Sequence, residues 1–220
     1  MIRLENICKS YGNDTNSLTV LNHVNLDIES GKFAVIMGQS GSGKSTLLNI
    51  LGCLDNPDSG RYLLEDIDIS KLAVNKKSWL RSVKMGFIFQ AFHLIPELTV
   101  FENVQLPLIY RGIPKSERTE LSRRILETVG LESKLKNYPF QLSGGEQQRV
   151  AISRALVGDP VVLFADEPTG NLDTKNAEEI MMLLCRLNQT RGTTVVMVTH
   201  NPEHIQFATQ LIRINDGIIS

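Results

Sequence analysis

Short apolar runs, each followed by a turn or a polar side chain, are spaced along most of the chain. Several of them predict strands of a parallel sheet, because a strand covered on both faces lacks the alternation of a half-exposed one. These runs are 33–37, 86–89, 161–165, 194–198 and 211–214. Two earlier apolar series, 2–7 and 20–28, predict antiparallel strands separated by a turn at 11–14. The pattern indicates an α/β fold with an N-terminal antiparallel β subdomain.

Helical spacing of apolar residues follows some of these runs. Thr99 and Glu102 fit a capping box, and Pro107 is expected to stop the helix that they start. A short helix is expected at 47–51, closed by Gly52. Two longer helices are predicted at 116–129 and 146–157, closed by Gly130 and by the turn at 158–160.

The bulk composition is that of a globular chain with a balanced surface. At 220 residues and 42% hydrophobic, the chain can bury one substantial core, so we interpret 1–220 as a single domain. Its α/β core is expected at about 1–90 and 151–220, with a helical subdomain inserted at about 91–150. With Lys+Arg 23 against Asp+Glu 24, a dedicated nucleic-acid partner is disfavoured.

Two further features bear on location. No apolar run approaches the ~20 residues needed to cross a bilayer, so any membrane role is expected to come through another chain. An odd number of widely spaced cysteines, without a C-x-x-C pair, favours free buried thiols in a reducing compartment. They are Cys8, Cys53 and Cys185.

One glycine-rich stretch, 38–46, matches the phosphate-binding pattern G-x-x-x-x-G-K-[ST]. Its glycines let successive backbone N–H groups turn inward and form an anion-binding nest. Lys44 adds a positive charge for the β- and γ-phosphates, and the Ser45 hydroxyl can ligate Mg²⁺. A nucleoside triphosphate is therefore expected to bind this loop. Its residues are Gly38, Gln39, Ser40, Gly41, Ser42, Gly43, Lys44, Ser45 and Thr46.

Polar side chains follow three of the predicted parallel strands, at Gln90, at Asp166–Glu167 and at Thr199–His200. Because ligands bind beyond the carboxyl ends of such strands, these side chains are expected beside the phosphate loop. Asp166 can hold Mg²⁺, and Glu167 can orient or deprotonate the attacking water. Taken alone, the acidic pair is equally compatible with a solvated strand end.

A second glycine pair follows Ser143, which forms a capping box with Glu146, a routine way to begin a helix. Gly144 and Gly145 expose the backbone N–H groups that suit a phosphate at a helix N-terminus. The first loop already supplies one nest. The second therefore has no ligand within the same chain.

The order and spacing of these motifs resemble those of an ATP-binding cassette (ABC) transporter ATPase. The likeness covers essentially the whole chain. It implies a P-loop NTPase (RecA-like) core, ATP and Mg²⁺ as cofactors, and a head-to-tail homodimer formed on ATP binding. In such a dimer the signature, 142–146, closes over the γ-phosphate held by the other subunit.

The resemblance also implies roles for individual residues. Tyr11 matches the aromatic residue that stacks on adenine, although a turn tyrosine is the alternative. The implied catalytic residues are Glu167, His200, Gln90 and Lys44, and the implied metal ligands are Ser45, Gln90 and Asp166. The implied contacts to the partner's nucleotide are Leu142, Ser143, Gly144, Gly145, Glu146 and Asp173. The segment 170–173 departs from the commoner small-residue version but keeps its aspartate.

Residues 90–99 and 102–108 look like the cassettes of the macrolide-exporter and lipoprotein-release group. That likeness implies a cytoplasmic subunit on the inner face of the membrane, a four-helix permease and a periplasmic or cell-surface adaptor. Export or mechanotransmission of a peptide, antibiotic or lipoprotein is the expected role. The alternative is a cell-division-type complex that regulates cell-wall hydrolases without transport. Four apolar residues form either a permease groove or ordinary core: Phe92, Leu94, Ile95 and Leu98.

One further pattern, His200-x-x-Glu203-His204, has the spacing of a zinc site in some metallopeptidases. Asn201 is a predicted helix N-cap and Pro202 the first helical position. His200 would then precede the helix and lie off the face of His204. The sequence therefore disfavours zinc at this position.

Overall fold

Two β-sheets form the framework of the computed structural model, which describes residues 1–12 and 16–219. The strands are β1 (Ile2–Tyr11), β2 (Leu18–Ile28), β3 (Phe33–Met37), β4 (Ser59–Leu64), β5 (Ile67–Asp68), β6 (Met85–Phe89), β7 (Val162–Asp166), β8 (Thr194–Thr199), β9 (Gln210–Asn215) and β10 (Ile218–Ile219). The helices are α1 (Lys44–Leu51), α2 (Val74–Lys84), α3 (Val100–Tyr110), α4 (Lys115–Thr128), α5 (Gly144–Leu156) and α6 (Thr174–Arg191).

The first sheet is antiparallel and has the strand order β2-β1-β4-β5. Ile2 of β1 pairs with Ile28 of β2 and, on the other side, with Leu64 of β4. The predicted N-terminal antiparallel subdomain is therefore confirmed. The turn predicted at 11–14 falls partly on Asn13 and Asp14, which lie outside the described residues.

The second sheet has the order β10-β9-β3-β8-β7-β6, and its strands from β9 to β6 are all parallel. This confirms the parallel sheet predicted from the apolar runs. Met37 at the end of β3 pairs with Thr199, and Asp166 at the end of β7 pairs with Phe89 and Val198. The carboxyl ends of four strands thus meet at one edge.

Alternate residues of the parallel strands enter two hydrophobic clusters, as the two-residue period of a strand requires. In β7, Val162 and Phe164 pack with α1 and the antiparallel sheet. Leu163 and Ala165 pack instead with helices α3 to α6. This burial on both faces explains the absence of polar alternation in the sequence.

The expectation that Pro107 ends its helix is wrong, because α3 continues to Tyr110. Proline removes one backbone donor, but its carbonyl still accepts from the Arg111 N–H at 3.1 Å. The next residue, Leu108, is buried in the helical cluster. Packing of that face therefore outweighs the missing hydrogen bond.

Gly52 follows α1 as predicted, but for a different reason from the one expected. Its φ is −79°, and the left-handed residue is Cys53 with φ +55°. A Cβ on Gly52 would lie 2.6 Å from Cε1 of Phe87. Close packing against that ring, rather than backbone conformation, requires the glycine.

The remaining expectations have mixed outcomes. Helix α2 was not predicted; it buries only Leu80 and has no side-chain cap at its start. Of the cysteines only Cys53 is buried, while Cys8 and Cys185 are half-buried; all three are free thiols.

Within the described residues no helix has the length and apolar character of a membrane span. The division at about 91–150 stays a prediction.

Candidate nucleotide-binding site

The phosphate-loop segment 38–46 connects β3 to α1, as predicted. Gly43 has φ +101°, and a Cβ there would lie 2.8 Å from the Val20 carbonyl oxygen, so only glycine fits. The Lys44 ammonium donates to the carbonyl oxygens of Gly38 at 2.8 Å and Gln39 at 2.6 Å. This cation therefore sits folded back on its own loop, where phosphate oxygens can replace the two carbonyls.

A cavity of about 500 Å³ opens between this loop and the strand ends. It brings together residues predicted from widely separated motifs. They are Tyr11, Ser40, Gly41, Gly43, Lys44, Ser45, Thr46, Asp166, Glu167 and His200, joined by Leu18, Val20 and Val198. Tyr11 is the last residue of β1 and is partly exposed.

Glu167 is fixed through both carboxylate oxygens. Oε1 accepts from the backbone N–H of His200 at 3.0 Å and lies 2.7 Å from its Nδ1. Oε2 accepts from the Thr199 hydroxyl at 3.2 Å. A carboxylate only accepts, so Nδ1 of His200 carries the proton. The side chain is thereby aimed by three donors from one strand end.

The backbone of Glu167 is left-handed, with φ +46°. For a residue with a Cβ this conformation is unfavourable by roughly 1–2 kcal/mol. Its N–H nevertheless donates to the Val198 carbonyl at 3.0 Å, which anchors the turn to the neighbouring strand. The turn separates Glu167 from Asp166, so two adjacent carboxylates can serve different atoms.

Burial raises the pKa of Asp166, and the adjacent charge of Glu167 raises it further, while Lys44 acts in the opposite direction. A cation beside this carboxylate would relieve both effects. The donor set of Asp166 and the Ser45 hydroxyl is oxygen-only and fits Mg²⁺, which takes few protein ligands and completes its shell with water and phosphate. No group of three or more His, Cys, Asp or Glu with metal-binding geometry occurs in the described chain.

Gln90 does not line this cavity, although it was expected to contact the metal and water there. Its Nε2 donates to Oδ1 of Asn171 at 3.1 Å, and Nδ2 of Asn171 donates back to the Gln90 carbonyl at 3.0 Å. A Cβ on Gly170 would lie 2.7 Å from that Nε2. Gln90 thus rests on the segment 170–173, and sequence reasoning missed the role of Asn171.

The signature at 142–146 begins α5 with the predicted capping box. The Ser143 hydroxyl accepts from the Glu146 N–H at 3.3 Å, and Glu146 accepts from the Ser143 N–H at 2.8 Å. A Cβ on Gly145 would lie 2.4 Å from Asn176, whereas one on Gly144 would lie 3.3 Å from the flexible Leu172 side chain and 3.9 Å from its other neighbours. Internal packing therefore explains Gly145 but not Gly144.

The signature residues, all within the described chain, do not line the nucleotide cavity of their own subunit. Leu142 is buried. Asp173 caps α6, since its carboxylate accepts from the Asn176 N–H at 3.0 Å. That hydrogen bond lowers the pKa of Asp173. The predicted contacts across a dimer stay predictions, and the capping role of Asp173 is an addition to them.

The second histidine of the His200–His204 pattern has a structural neighbourhood of its own. Asn201 caps a 3₁₀ segment (Pro202–Phe207), as predicted. His204 is buried, with Nδ1 3.0 Å from the Thr199 hydroxyl, and burial lowers its pKa. Because that hydroxyl donates its proton to Glu167, Nδ1 of His204 is the donor. His204 thus supports Glu167 through Thr199.

A separate groove of about 590 Å³ lies on another face. Of the four residues proposed from sequence only Ile95 lines it, and Leu94 packs into the helical cluster. Its other apolar walls include Phe87, Phe89 and Tyr110. Of the predicted set, Ile95 therefore belongs to the groove and Leu94 to the core.

A glycine-rich loop follows β3 and an acidic pair stands at the end of β7, with β8 between these two strands. This arrangement defines a P-loop NTPase. The chain belongs to the ABC transporter family, whose sequence model matches residues 21–170. It is the ATP-hydrolysing cassette of such a transporter.

Relatives of known sequence and structure resemble almost the entire chain. It is 48% identical over 217 residues to the uncharacterised ABC transporter ATP-binding protein YvrO of Bacillus subtilis, covering 99% of this chain and 94% of that one. It is 46% identical over 219 residues to the macrolide export ATP-binding/permease protein MacB of Vibrio parahaemolyticus, covering 100% of this chain but only 33% of MacB.

A solved structure has a very similar fold. The ATP-binding cassette MJ0796, a dimer in a post-hydrolysis state bound to ADP and Pi, superposes with a TM-score of 0.90 at 44% identity. The match covers 100% of this chain and 97% of that one.

Proposed function

We propose that two copies of this cassette enclose two ATP–Mg²⁺ between them and drive a separate membrane permease from its cytoplasmic side. The observation that carries the proposal is a division of parts within one chain. The phosphate loop and Glu167 share a cavity, while the start of α5, with Gly144 half-buried and Gly145 buried, lies outside it. The dimeric state of the similar cassette MJ0796 supports pairing of this kind.

Each residue of the cavity then has a defined task. The loop N–H groups and Lys44 bind the phosphates. Ser45 and Asp166 would hold Mg²⁺, which would supply positive charge to neutralise the phosphates. Glu167 accepts the proton of the attacking water, and His200 holds its carboxylate in position. The first helical turn of the partner's α5 caps the γ-phosphate.

The groove lined by Phe87, Phe89 and Ile95 is the proposed seat for a cytoplasmic segment of the permease, expected to be of the four-helix type. Its apolar walls suit a short helix of that partner. Likeness to MacB favours export of a peptide, antibiotic or lipoprotein, with an extracytoplasmic adaptor. A cell-division-type complex that controls cell-wall hydrolases is the alternative. Neighbouring genes for a permease and an adaptor would favour export.

Dilution tests the pairing directly. Turnover per chain is measured in saturating ATP–Mg²⁺ while the protein concentration is lowered, and the oligomeric state is followed by light scattering. Turnover should fall in step with the dimer fraction. A dilute monomer that hydrolyses ATP at the full rate would overturn the proposal.

A further inference from the structure

Tyr11, the residue expected to stack on adenine, is held by a charged cluster of Asp55 and Lys9. Neither of these two residues has a role in the nucleotide site described above. Its hydroxyl donates to Oδ2 of Asp55 at 2.7 Å. The Lys9 ammonium donates to Oδ1 of the same carboxylate at 3.0 Å and to the Asn56 carbonyl at 2.8 Å. Both oxygens of Asp55 are therefore committed, one to the ring and one to the cation.

The cluster connects β1, which carries Tyr11, to the turn after α1, the helix that begins in the phosphate loop. Lys9 and Tyr11 lie two residues apart on β1 and so share one face of the strand. Asp55 lies in the turn after α1, the helix that begins at Lys44 of the phosphate loop. One carboxylate thus connects the proposed base platform to the element that carries the phosphate-binding lysine.

Charge and burial indicate that the contact persists at neutral pH. The Lys9 side chain is only 11% exposed and that of Asp55 30%. Burial alone would raise the pKa of Asp55, but hydrogen bonds from Tyr11 and Lys9 outweigh it and lower the pKa. Burial and the bond to Asp55 raise the pKa of Tyr11, which keeps its proton for donation.

The cluster also assigns a face to the ring. The Lys9 ammonium lies over the ring, 5.0 Å from its centroid. Tyr11 is nevertheless 44% exposed and lines the nucleotide cavity. Lys9 thereby covers one face of the Tyr11 ring through a cation–π contact. The other face, toward the cavity, stays available to a nucleotide base.

We infer that Asp55, braced by Lys9, is a positioning residue that fixes the Tyr11 ring for the nucleotide base and sets base affinity independently of phosphate affinity. This inference rests on the proposed nucleotide site. Asp55 does not line the nucleotide cavity and acts through the Tyr11 hydroxyl.

A pair of ligands that are not hydrolysed isolates the base. ADP and inorganic pyrophosphate, each with Mg²⁺, are titrated against the wild type, D55A, Y11F and the double variant D55A/Y11F. D55A should weaken ADP binding about 3- to 10-fold, the range expected for one net hydrogen bond. Pyrophosphate binding should not change. The double variant should bind ADP no more weakly than Y11F alone.

Asp58 provides the matched control. It lies in the same loop, 3.7 Å from the Lys9 ammonium, and accepts from the Ser10 N–H, but it has no hydrogen bond to Tyr11. D58A should leave the ratio of ADP to pyrophosphate affinity unchanged. If D55A does not fold, D55N, which keeps one acceptor, should show the same selective loss with smaller size.

Several results would overturn the inference. Equal losses for ADP and pyrophosphate in D55A would assign Asp55 to the phosphate loop, and a loss that adds to that of Y11F would remove the link through the hydroxyl. A change in D58A equal to that in D55A would indicate a general loop effect. A wild type that binds ADP no tighter than pyrophosphate would instead refute the stacking of adenine on Tyr11 that the sequence predicts. In steady state D55A should raise KM for ATP and leave kcat unchanged.

Discussion

Nδ1 of His200 lies 2.7 Å from Oε1 of Glu167, and the His200 backbone N–H donates to the same oxygen at 3.0 Å. The two residues come from the ends of β7 and β8, so the parallel sheet itself sets their separation. The Glu167 side chain is only 17% exposed, whereas that of His200 is 74% exposed. A shielded base is thus oriented by a residue that an incoming phosphate can reach.

Replacing Glu167 with glutamine should remove the base and keep the shape. The amide oxygen can still accept from His200, but the side chain cannot take a proton from water. Hydrolysis should fall by roughly 10²–10⁴-fold, the usual contribution of general base catalysis. The variant should bind ATP and accumulate as a dimer. Single-turnover assays and light scattering measure both effects, and a variant that stays monomeric in saturating ATP would contradict this expectation.

The meeting of Asp166, Glu167 and His200 was predictable from the sequence, because it depends only on where β7 and β8 end. The direction of the Gln90 side chain was not. It depends on Asn171, 81 residues further along, whose side chain replaces a commoner small residue. Pairing between two distant loops leaves no periodic signal.

Helices held by packing were also hard to predict. The continuation of α3 past Pro107 depends on the burial of Leu108 against other helices. Helix α2 buries only Leu80 and has no capping side chain, so its sequence lacks the start signal that identifies other helices. Local patterns therefore predicted the sheet well and the polar or proline-containing helices poorly.

Replacing Lys44 with alanine should abolish productive nucleotide binding. Within residues 1–12 and 16–219 its ammonium bonds only to the Gly38 and Gln39 carbonyls, which phosphate oxygens would displace. Its loss leaves the loop without a mobile cation for the β- and γ-phosphates. Fluorescent-nucleotide titration measures the effect, with thermal unfolding as a check on folding. Undiminished turnover in K44A would refute this role.

Replacing Asn171 with alanine should release Gln90. Both hydrogen bonds between the two residues are exposed, and each contributes about 0.5–1.5 kcal/mol. Without them Gln90 can reach the cavity at less cost, so half-maximal ATP binding by the E167Q variant should need a lower Mg²⁺ concentration. Titration of Mg²⁺ at fixed ATP measures this. The same titration is repeated with Gln90 replaced by alanine. If N171A lowers the required Mg²⁺ concentration in the Q90A background as much as in E167Q alone, the effect does not pass through Gln90.

Replacing Asp166 with asparagine should stabilise the nucleotide-free protein at neutral pH. Burial and the charge of Glu167 raise the pKa of Asp166 in the folded state, so ionising it there is unfavourable relative to the unfolded chain. A carboxyl whose pKa is raised by folding stabilises the folded state while it is protonated. That contribution to the free energy of unfolding is complete below the unfolded pKa of about 4, and it is lost as pH rises through the folded pKa.

The stability advantage of D166N should therefore be full above the folded pKa and vanish below about pH 4. Urea unfolding of both proteins across this range measures it, and Mg²⁺-dependent ATP binding of D166N should be weaker. An advantage that persists unchanged at the acidic end would show that packing, rather than charge, is the cause.

Replacing Gly144 with alanine separates the function of the signature from its fold. A Cβ at this position would approach no atom closer than the Leu172 side chain at 3.3 Å, whereas one at Gly145 would lie 2.4 Å from Asn176. G144A should therefore fold and bind ATP through its own intact phosphate loop. The added methyl would cover the N–H groups offered to the partner's γ-phosphate, so ATP-driven dimerisation and turnover should be lost.

Mixing G144A with K44A turns this into a test of the composite site. Each variant alone lacks one half of every site, but a mixed dimer pairs the intact phosphate loop of G144A with the intact signature of K44A. Turnover should reappear on mixing, although neither protein is active by itself. G145A serves as the comparison, since its clash with Asn176 should lower thermal stability in the monomer as well. If the mixture stays inactive while both proteins are folded and mixed dimers are detected by cross-linking, the signature does not act across the dimer.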